Sequence, residues 1–196
     1  MVVQEIFGVN SHIRGAADSY AADGYRAVAP ALFDRAERGV ELDYDPADRD
    51  KAIALRKAIP IDAMLRDVAA TAVALASAGK VGIVGYCLGG SLAWLTATRL
   101  PGFAAAVGYY GGMIAAHINE APRCPVMLHF GEEDCGIPMS DVAKIRAATD
   151  PARVQVFTYS GAGHAFNRDD SPAAWNEAAA KLARERTLAF LGEHLG

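Results

Sequence analysis

One stretch, Val81-Gly-Ile-Val-Gly-Tyr-Cys-Leu-Gly-Gly-Ser91, constrains what this chain can fold into more than any other. Val81 to Val84 reads as a buried strand, Cys87 as the centre of a sharp turn, and Leu88 onward as a helix. Gly85-Tyr-Cys-Leu-Gly89 fits the nucleophile-elbow pattern G-x-S-x-G, with Cys in place of Ser. The glycines are needed because a Cβ two residues to either side of the turn would crowd the reversal from strand to helix. Such a turn sets the side chain at the C-terminal edge of a sheet and at a helix N-terminus, where backbone N–H groups and the helix dipole favour a thiolate. The competing interpretation is a buried cysteine beside a glycine-rich turn, the commoner situation for cysteine. The rest of the chain decides between them.

At 196 residues, 52% of them hydrophobic, the chain is long enough for one domain with a full core, taken here as residues 1–196. A net charge of −4 supplies no basic field for nucleic acid and no polybasic patch for a membrane. No apolar run approaches the ~18 residues that would span a bilayer, and no secretion signal is visible at residue 1. Cys87, Cys124 and Cys135 are odd in number and scattered. They form neither a disulfide framework nor metal-ligand spacing, so a reducing cytoplasm is expected. Nothing indicates a metal or an organic cofactor, and the oligomeric state is left open.

Along the chain, strands alternate with helices. Val2 to Phe7 reads as a strand, about Ser11 to Ala22 as a helix stopped at Asp23-Gly24, and Arg26 to Pro30 as a second short strand. Residues 31–46 are loop-like. Helical spacing returns over 47–58 and 61–78, with Pro60 either separating the two or kinking one into the other. After the elbow helix come strands over Ala104 to Tyr109, Pro125 to Phe130 and Val154 to Thr158, with a helix from about Ser140 to Ala148. Ser171-Pro172 is expected to open a terminal helix with an apolar stripe of Trp175, Leu182, Leu188 and Leu191. This alternation predicts an α/β fold: a mostly parallel sheet with helices on both faces.

In such sheets ligands bind beyond the carboxyl ends of the strands. Asp134 lies just past the 125–130 strand and His164 just past the 154–158 strand. Cys87, Asp134 and His164 thus follow the nucleophile–acid–histidine order of α/β-hydrolases. A free thiol has a pKa near ~8.5 and needs a base or a positive field to ionise at neutral pH. His164 can supply either, and Asp134 can hold its tautomer and favour its protonated form. Taken singly, His164 could be a surface-loop histidine and Asp134 a turn carboxylate; together with the elbow they are specific. The backbone N–H groups of Leu88 and Ile6 are the expected oxyanion donors. His129, inside a strand, reads as a core histidine. Tyr109 and Tyr110 end a strand near the site, where packing and substrate contact are both open to them.

Gln4-Glu-Ile-Phe-Gly-Val-Asn10, Gly85-Tyr-Cys-Leu-Gly-Gly90, Gly108-Tyr-Tyr-Gly111 and Gly163-His-Ala-Phe166 together resemble the dienelactone hydrolase family, the carboxymethylenebutenolidases, over essentially the whole chain. The resemblance implies an α/β-hydrolase fold and hydrolysis of an enol-lactone bearing a carboxylate, such as dienelactone, to maleylacetate. It implies that Cys87 is the nucleophile, with Asp134 and His164 as its partners. It further implies that Glu5 is tied to an arginine at rest and swings to take the thiol proton when substrate arrives. Arg168 matches that arginine, which also meets the substrate carboxylate, and Arg49 matches a second carboxylate-binding arginine.

A thiolate is a better leaving group than an alkoxide, so attack on an alkyl ester tends to collapse backward, whereas an enol ester releases a stabilised enolate. Enol-lactones, enol or aryl esters and thioesters are therefore expected to be preferred. The alternatives are a general carboxylesterase or thioesterase on the same scaffold and, from another class, a non-catalytic protein with Cys87 as a redox sensor or ligand contact. Two departures from the family stand out. About thirty residues that usually precede the Gln4-Glu-Ile-Phe motif are absent, so the N-terminal edge strands are expected to be missing, with low stability or pairing to another chain as the consequence. Near Ile53 and Arg56 the family's aromatic residues are replaced, which predicts a differently shaped pocket.

Overall fold

The computed structural model describes residues 1–196. A single, wholly parallel sheet runs in the order β1 (Val2–Val3), β2 (Val81–Tyr86), β3 (Phe103–Tyr109), β4 (Val126–Gly131) and β5 (Val154–Tyr159). The helices are α1 (Ser11–Ala22), α2 (Pro46–Ala58), α3 (Ile61–Leu75), α4 (Leu88–Arg99), α5 (Met139–Ala148) and α6 (Glu177–Leu195). Because every strand points the same way, all their carboxyl ends meet at one edge of the sheet.

Residues of β2 show how the two faces are covered. A Cβ at Gly82 would meet Leu191 and Leu195 of α6, whereas one at Gly85 would meet the backbone of Gly89 in α4. Positions an odd number of residues apart point to opposite faces, so α4 and α6 lie on opposite sides. Both sides being covered, every residue of β2 and β4 is buried, and these strands are apolar runs rather than alternating ones. Helix α1 shares the α6 face: Arg184 of α6 donates to Ser19 Oγ at 2.6 Å and stacks over Tyr20, 4.3 Å from the ring centroid. Helix α3 packs with α4 on the other face.

The helix predicted over 11–22 is present, capped by Asn10 Oδ1 accepting from Ile13 N–H at 3.3 Å. Pro60 does divide two helices. Three expectations fail. The first strand stops at Val3, because Gln4 turns its side chain into the core and the chain leaves the sheet there. Residues 26–30 form no strand, and the single link Val2 N–H to Val28 O (2.9 Å) is too little for a ladder. The terminal helix opens at Glu177, not at Ser171-Pro172, because Asn176 Oδ1 takes the cap by accepting from Ala179 N–H. Its buried face is accordingly Ala179, Ala180, Ala183, Thr187, Phe190 and Leu191, while Trp175 and Leu182 are 38% and 40% exposed. Small alanines let α6 approach the sheet closely, a stripe that a search for large apolar residues passes over.

Candidate active site

Cys87 sits at φ +53°, ψ −108°, between β2 and α4. Its N–H is tied to Tyr109 O at 3.0 Å, and its C=O accepts from Ser91 N–H at 3.1 Å. The turn closes because the neighbours lack side chains. A Cβ at Gly85 would lie 1.9 Å from Gly89 O, and one at Gly89 would lie 2.2 Å from Val3 O. Only two other non-glycine residues have positive φ: Tyr110 at +39° and Ala165 at +58°. Tyr110 ends β3, and Ala165 follows His164. All the strained non-glycine backbone of the molecule therefore gathers around this one site.

Asp134 and His164 come together beside the turn. Asp134 Oδ2 is 2.6 Å from His164 Nδ1, and Oδ1 accepts from Gly136 N–H at 2.8 Å. The carboxylate is 1% exposed, whereas the imidazole, at 41%, opens to the outside. Gly131 makes the encounter possible, since a Cβ there would strike Ala162 O at 2.3 Å. The loop carrying His164 thus crosses directly over the end of β4, and Glu133 N–H donates to Ala162 O at 2.9 Å to fix it. Desolvation opposes charge on His164, but hydrogen bonding to Asp134 and to Cys87, with the fields of both, outweighs it and holds the imidazolium up to about 10. The imidazole is therefore protonated next to Cys87 throughout the neutral range, as the cationic half of an ion pair with Asp134.

Tyr110 forms the wall. Its ring lies 4.9 Å from the His164 ring, its N–H donates to His129 O at 2.8 Å, and its hydroxyl donates to Asn167 Oδ1. Burial first, then the negative fields of Glu5, Tyr86 and Cys87, push its phenol well above the ordinary value. Tyr110 therefore shares its surroundings with both Glu5 and Cys87. Tyr109 points away from the chemistry, its hydroxyl 2.6 Å from Thr187 Oγ1. His129 is a core residue, bonded to Tyr159 Oη at 2.8 Å and Thr187 Oγ1 at 3.1 Å.

Glu5 is buried and accepts from the Tyr44 hydroxyl at 2.9 Å. The expected pairing of Glu5 with Arg168 is not formed. Tyr44 stands between them, with the Arg168 guanidinium 3.4 Å from its ring centroid. Arg168 is 13% exposed, and its Nε is 3.0 Å from Asp170 Oδ1 without its N–H being aimed there. No hydrogen bond within the protein is donated by this guanidinium. The Ile6 and Leu88 N–H groups are spent on no turn, loop or cap hydrogen bond. Gln4 steadies the Ile6 segment: its Oε1 accepts from Leu32 N–H at 3.0 Å, its Nε2 donates to Glu5 O, and its own C=O accepts from Gly89 N–H. Arg49 is exposed on α2, in no ion pair and no side-chain hydrogen bond. Arg56 points inward instead, its Nη2 3.7 Å from Met113 Sδ. Cys135 is exposed, and all three cysteines are free.

Gln4, Tyr44, Asn167 and Gly131 were not picked out from the sequence as parts of the site, whereas Tyr110 was placed near it with packing and substrate contact both open. A buried polar residue at the end of an apolar strand was a usable signal for Gln4; Tyr44, in a polar loop, carried none. A cleft of about 590 Å³ floored by Tyr86 and Tyr109, and another of about 300 Å³ near Leu195, are lined by none of Cys87, Asp134 or His164. Volume alone therefore does not mark the chemistry. No group of three or more His, Cys, Asp or Glu is placed to hold a metal, and no helix is long and apolar enough to cross a membrane.

Comparison with known proteins decides the affiliation. The model of the dienelactone hydrolase family matches residues 1–195. The chain belongs to the dienelactone hydrolase family. Carboxymethylenebutenolidases of Pseudomonas putida and Pseudomonas knackmussii are each 38% identical to it over 202 residues, covering 97% of this chain and 84% of theirs. A crystal structure from Klebsiella pneumoniae, provisionally named a dienelactone hydrolase, is 32% identical, with a TM-score of 0.84 over 97% of this chain and 85% of that one. A dienelactone hydrolase-like promiscuous phosphotriesterase from metagenomic libraries shares the fold at 20% identity, with a TM-score of 0.80 over 100% of this chain and 85% of that one. As a dienelactone hydrolase family member, the protein is an α/β-fold hydrolase acting on esters or lactones.

Proposed function

We propose that this hydrolase opens carboxylate-bearing enol-lactones or enol esters, dienelactone among them, through a cysteine acyl-enzyme. The observation that carries this is the Asp134–His164 pair at 2.6 Å, held charged beside a cysteine in a strained elbow. Cys87 Sγ gives its proton to Glu5 and attacks the carbonyl carbon. The oxyanion is received by the Ile6 and Leu88 N–H groups, the latter at the positive end of α4. The carbonyl re-forms, the C–O bond to the enolate breaks, and the His164 imidazolium protonates the departing oxygen. Neutral His164 then takes a proton from water as its hydroxide adds to the thioester. The second collapse expels the thiolate, which recovers its proton from Glu5. Arg168, whose buried guanidinium donates no hydrogen bond in the protein, offers its N–H groups to the substrate carboxylate.

An unpaired set of cysteines suits a reducing compartment, and the cytoplasm is the proposed location. Residues 1–196 act as one unit in this scheme. The test compares an enol-lactone or enol ester with a matched ethyl ester. A preference for the enol substrate of about 100-fold or more in kcat/KM is expected, and comparable values would rule the proposal out. Cys87→Ala should abolish hydrolysis. Cys87→Ser should lose on the order of 10³-fold in kcat, because Glu5 removes a thiol proton far more easily than a hydroxyl proton. An acid quench of the parent with a slow ester should trap an adduct on the peptide containing Cys87; its absence would remove the acyl-enzyme.

A further inference from the structure

Helix α2 carries four cations, and one of them sits unlike the rest. Arg49, Lys51 and Lys57 are exposed, whereas Arg56 is half-buried. It lies four residues after Ala52 and three before Ile59, both buried, so it belongs to the face of α2 that packs inward. Its Nη2 is 3.7 Å from Met113 Sδ, a weak acceptor, and no carboxylate lies within ion-pair distance of it. Complementing the negative end of α2 does not explain this placement, because Lys57 in the same last turn serves that end from the solvent side.

Met113 ties this cation to the reacting centre. Its N–H donates to Ser91 Oγ at 3.0 Å, and Ser91 N–H donates to Cys87 O at 3.1 Å, so the loop after β3 sits on the first turn of α4. The same loop touches the one that carries the acid: a Cβ at Gly112 would lie 3.8 Å from Ile137 Cγ1, and Ile137 N–H donates to Asp134 O at 3.2 Å. The other end of α2 follows Tyr44, which meets Glu5 and Arg168. Helix α2 therefore runs from Arg168 at its start to Arg56 and Met113 near its end. Between Pro46 and Arg56 its axis rises about 15 Å.

We propose that Arg56 is a specificity-determining residue, a second carboxylate site that selects esters or lactones with a carboxylate at each end. The proposal rests on the reading that Arg168 takes one substrate carboxylate. A guanidinium partnered only by a thioether gains from a carboxylate, which accepts two parallel charge-assisted N–H bonds from it. The exchange leaves nothing strongly polar behind, because a thioether that loses its donor is not a strong acceptor left unpaired. A substrate with a single carboxylate leaves Arg56 unused, so the second charge is read as added affinity. The two ends of α2 thereby measure the substrate across Cys87, by charge and by length.

Isothermal titration calorimetry reads the second site without turnover. The probes are linear dicarboxylates of about six to ten carbons and the monoamide of each, lengths that bracket what two side chains can reach from helix positions about 15 Å apart. The parent should bind the best-fitting dicarboxylate roughly tenfold or more tighter than its monoamide. Arg56→Met, which keeps the packing against Met113, should bring that ratio to within about twofold of one. Arg56→Lys should keep part of the ratio, and Arg56→Glu should push it below one, a reversal that lost packing alone does not produce. A parent ratio near one at every length, or a ratio that Arg56→Met leaves unchanged, overturns the proposal. Arg168→Met separates this from failure of the underlying role. Parent-like affinities in Arg168→Met remove the first carboxylate site and the two-ended selection with it, whereas weakened binding in Arg168→Met beside an unmoved ratio in Arg56→Met removes the second site alone.

Discussion

At the scale of single residues, His164 sets the charge state of the site. Its pKa is held at about 10 in the folded protein, against about 6.5 in an unfolded chain. A raised pKa means that the folded state binds the proton more tightly. The resulting stabilisation is complete below about pH 6.5 and is lost as pH climbs through about 10. The stability margin of the parent over His164→Gln, read from urea midpoints, should therefore shrink between about pH 6 and pH 10.5. A margin that stays constant over that range would mean that Asp134 and Cys87 do not hold the proton. The identities of Cys87, Asp134 and His164 were legible because each follows a strand in a recognisable order. Tyr44 was not, because its importance lies in what two distant segments bring to its ring and hydroxyl.

At the scale of elements, the elbow depends on three backbones meeting at van der Waals contact. Gly89 touches Val3 O and Gln4 O, and its N–H donates to Gln4 O at 3.0 Å. A methyl group there must push α4 away from the end of β1. Gly89→Ala should therefore cost about 1–3 kcal/mol in urea unfolding. It should also lower kcat by roughly tenfold or more, because Ile6 and Leu88 ride on the separated segments. Loss of stability without loss of kcat would show that the two amides do not act together. The G-x-C-x-G pattern announced this junction in advance. The start of α6 was misplaced because Ser171-Pro172 and Asn176 are all competent start signals, and only packing of the alanine face against the sheet selects the later one.

Across the whole molecule, a buried polar chain joins the sheet to α6. Tyr159 of β5 and Thr187 of α6 both bond His129 of β4, and Thr187 also meets Tyr109 of β3. Burial, assisted by the positive field of Arg186, lowers the His129 pKa to about 3. An unfolded chain protonates this histidine near pH ~6.5 and the folded one does not, so stability falls as pH drops from about 6.5 toward 3. The contribution is of the order of a few kcal/mol. His129→Gln should flatten the acid limb of a plot of urea midpoint against pH between about 7 and 4, and parallel curves would show that His129 is not its source. Strand alternation in the sequence foretold a sheet covered on both faces, but not this link between β3, β4, β5 and α6.

The order of strands and helices, the elbow and the three residues past strand ends follow from local periodicity, glycine placement and chain order, all of which a sequence carries directly. The spacing between segments does not. Whether Glu5 meets Arg168 or Tyr44 depends on where the loop before α2 settles, and that is fixed by hydrogen bonds donated by Asn10 Nδ2 and accepted by Phe7 O, far along the chain. Tertiary packing decided that outcome, because side chains are oriented by the surfaces that neighbouring elements present, and those surfaces exist only once the sheet has assembled.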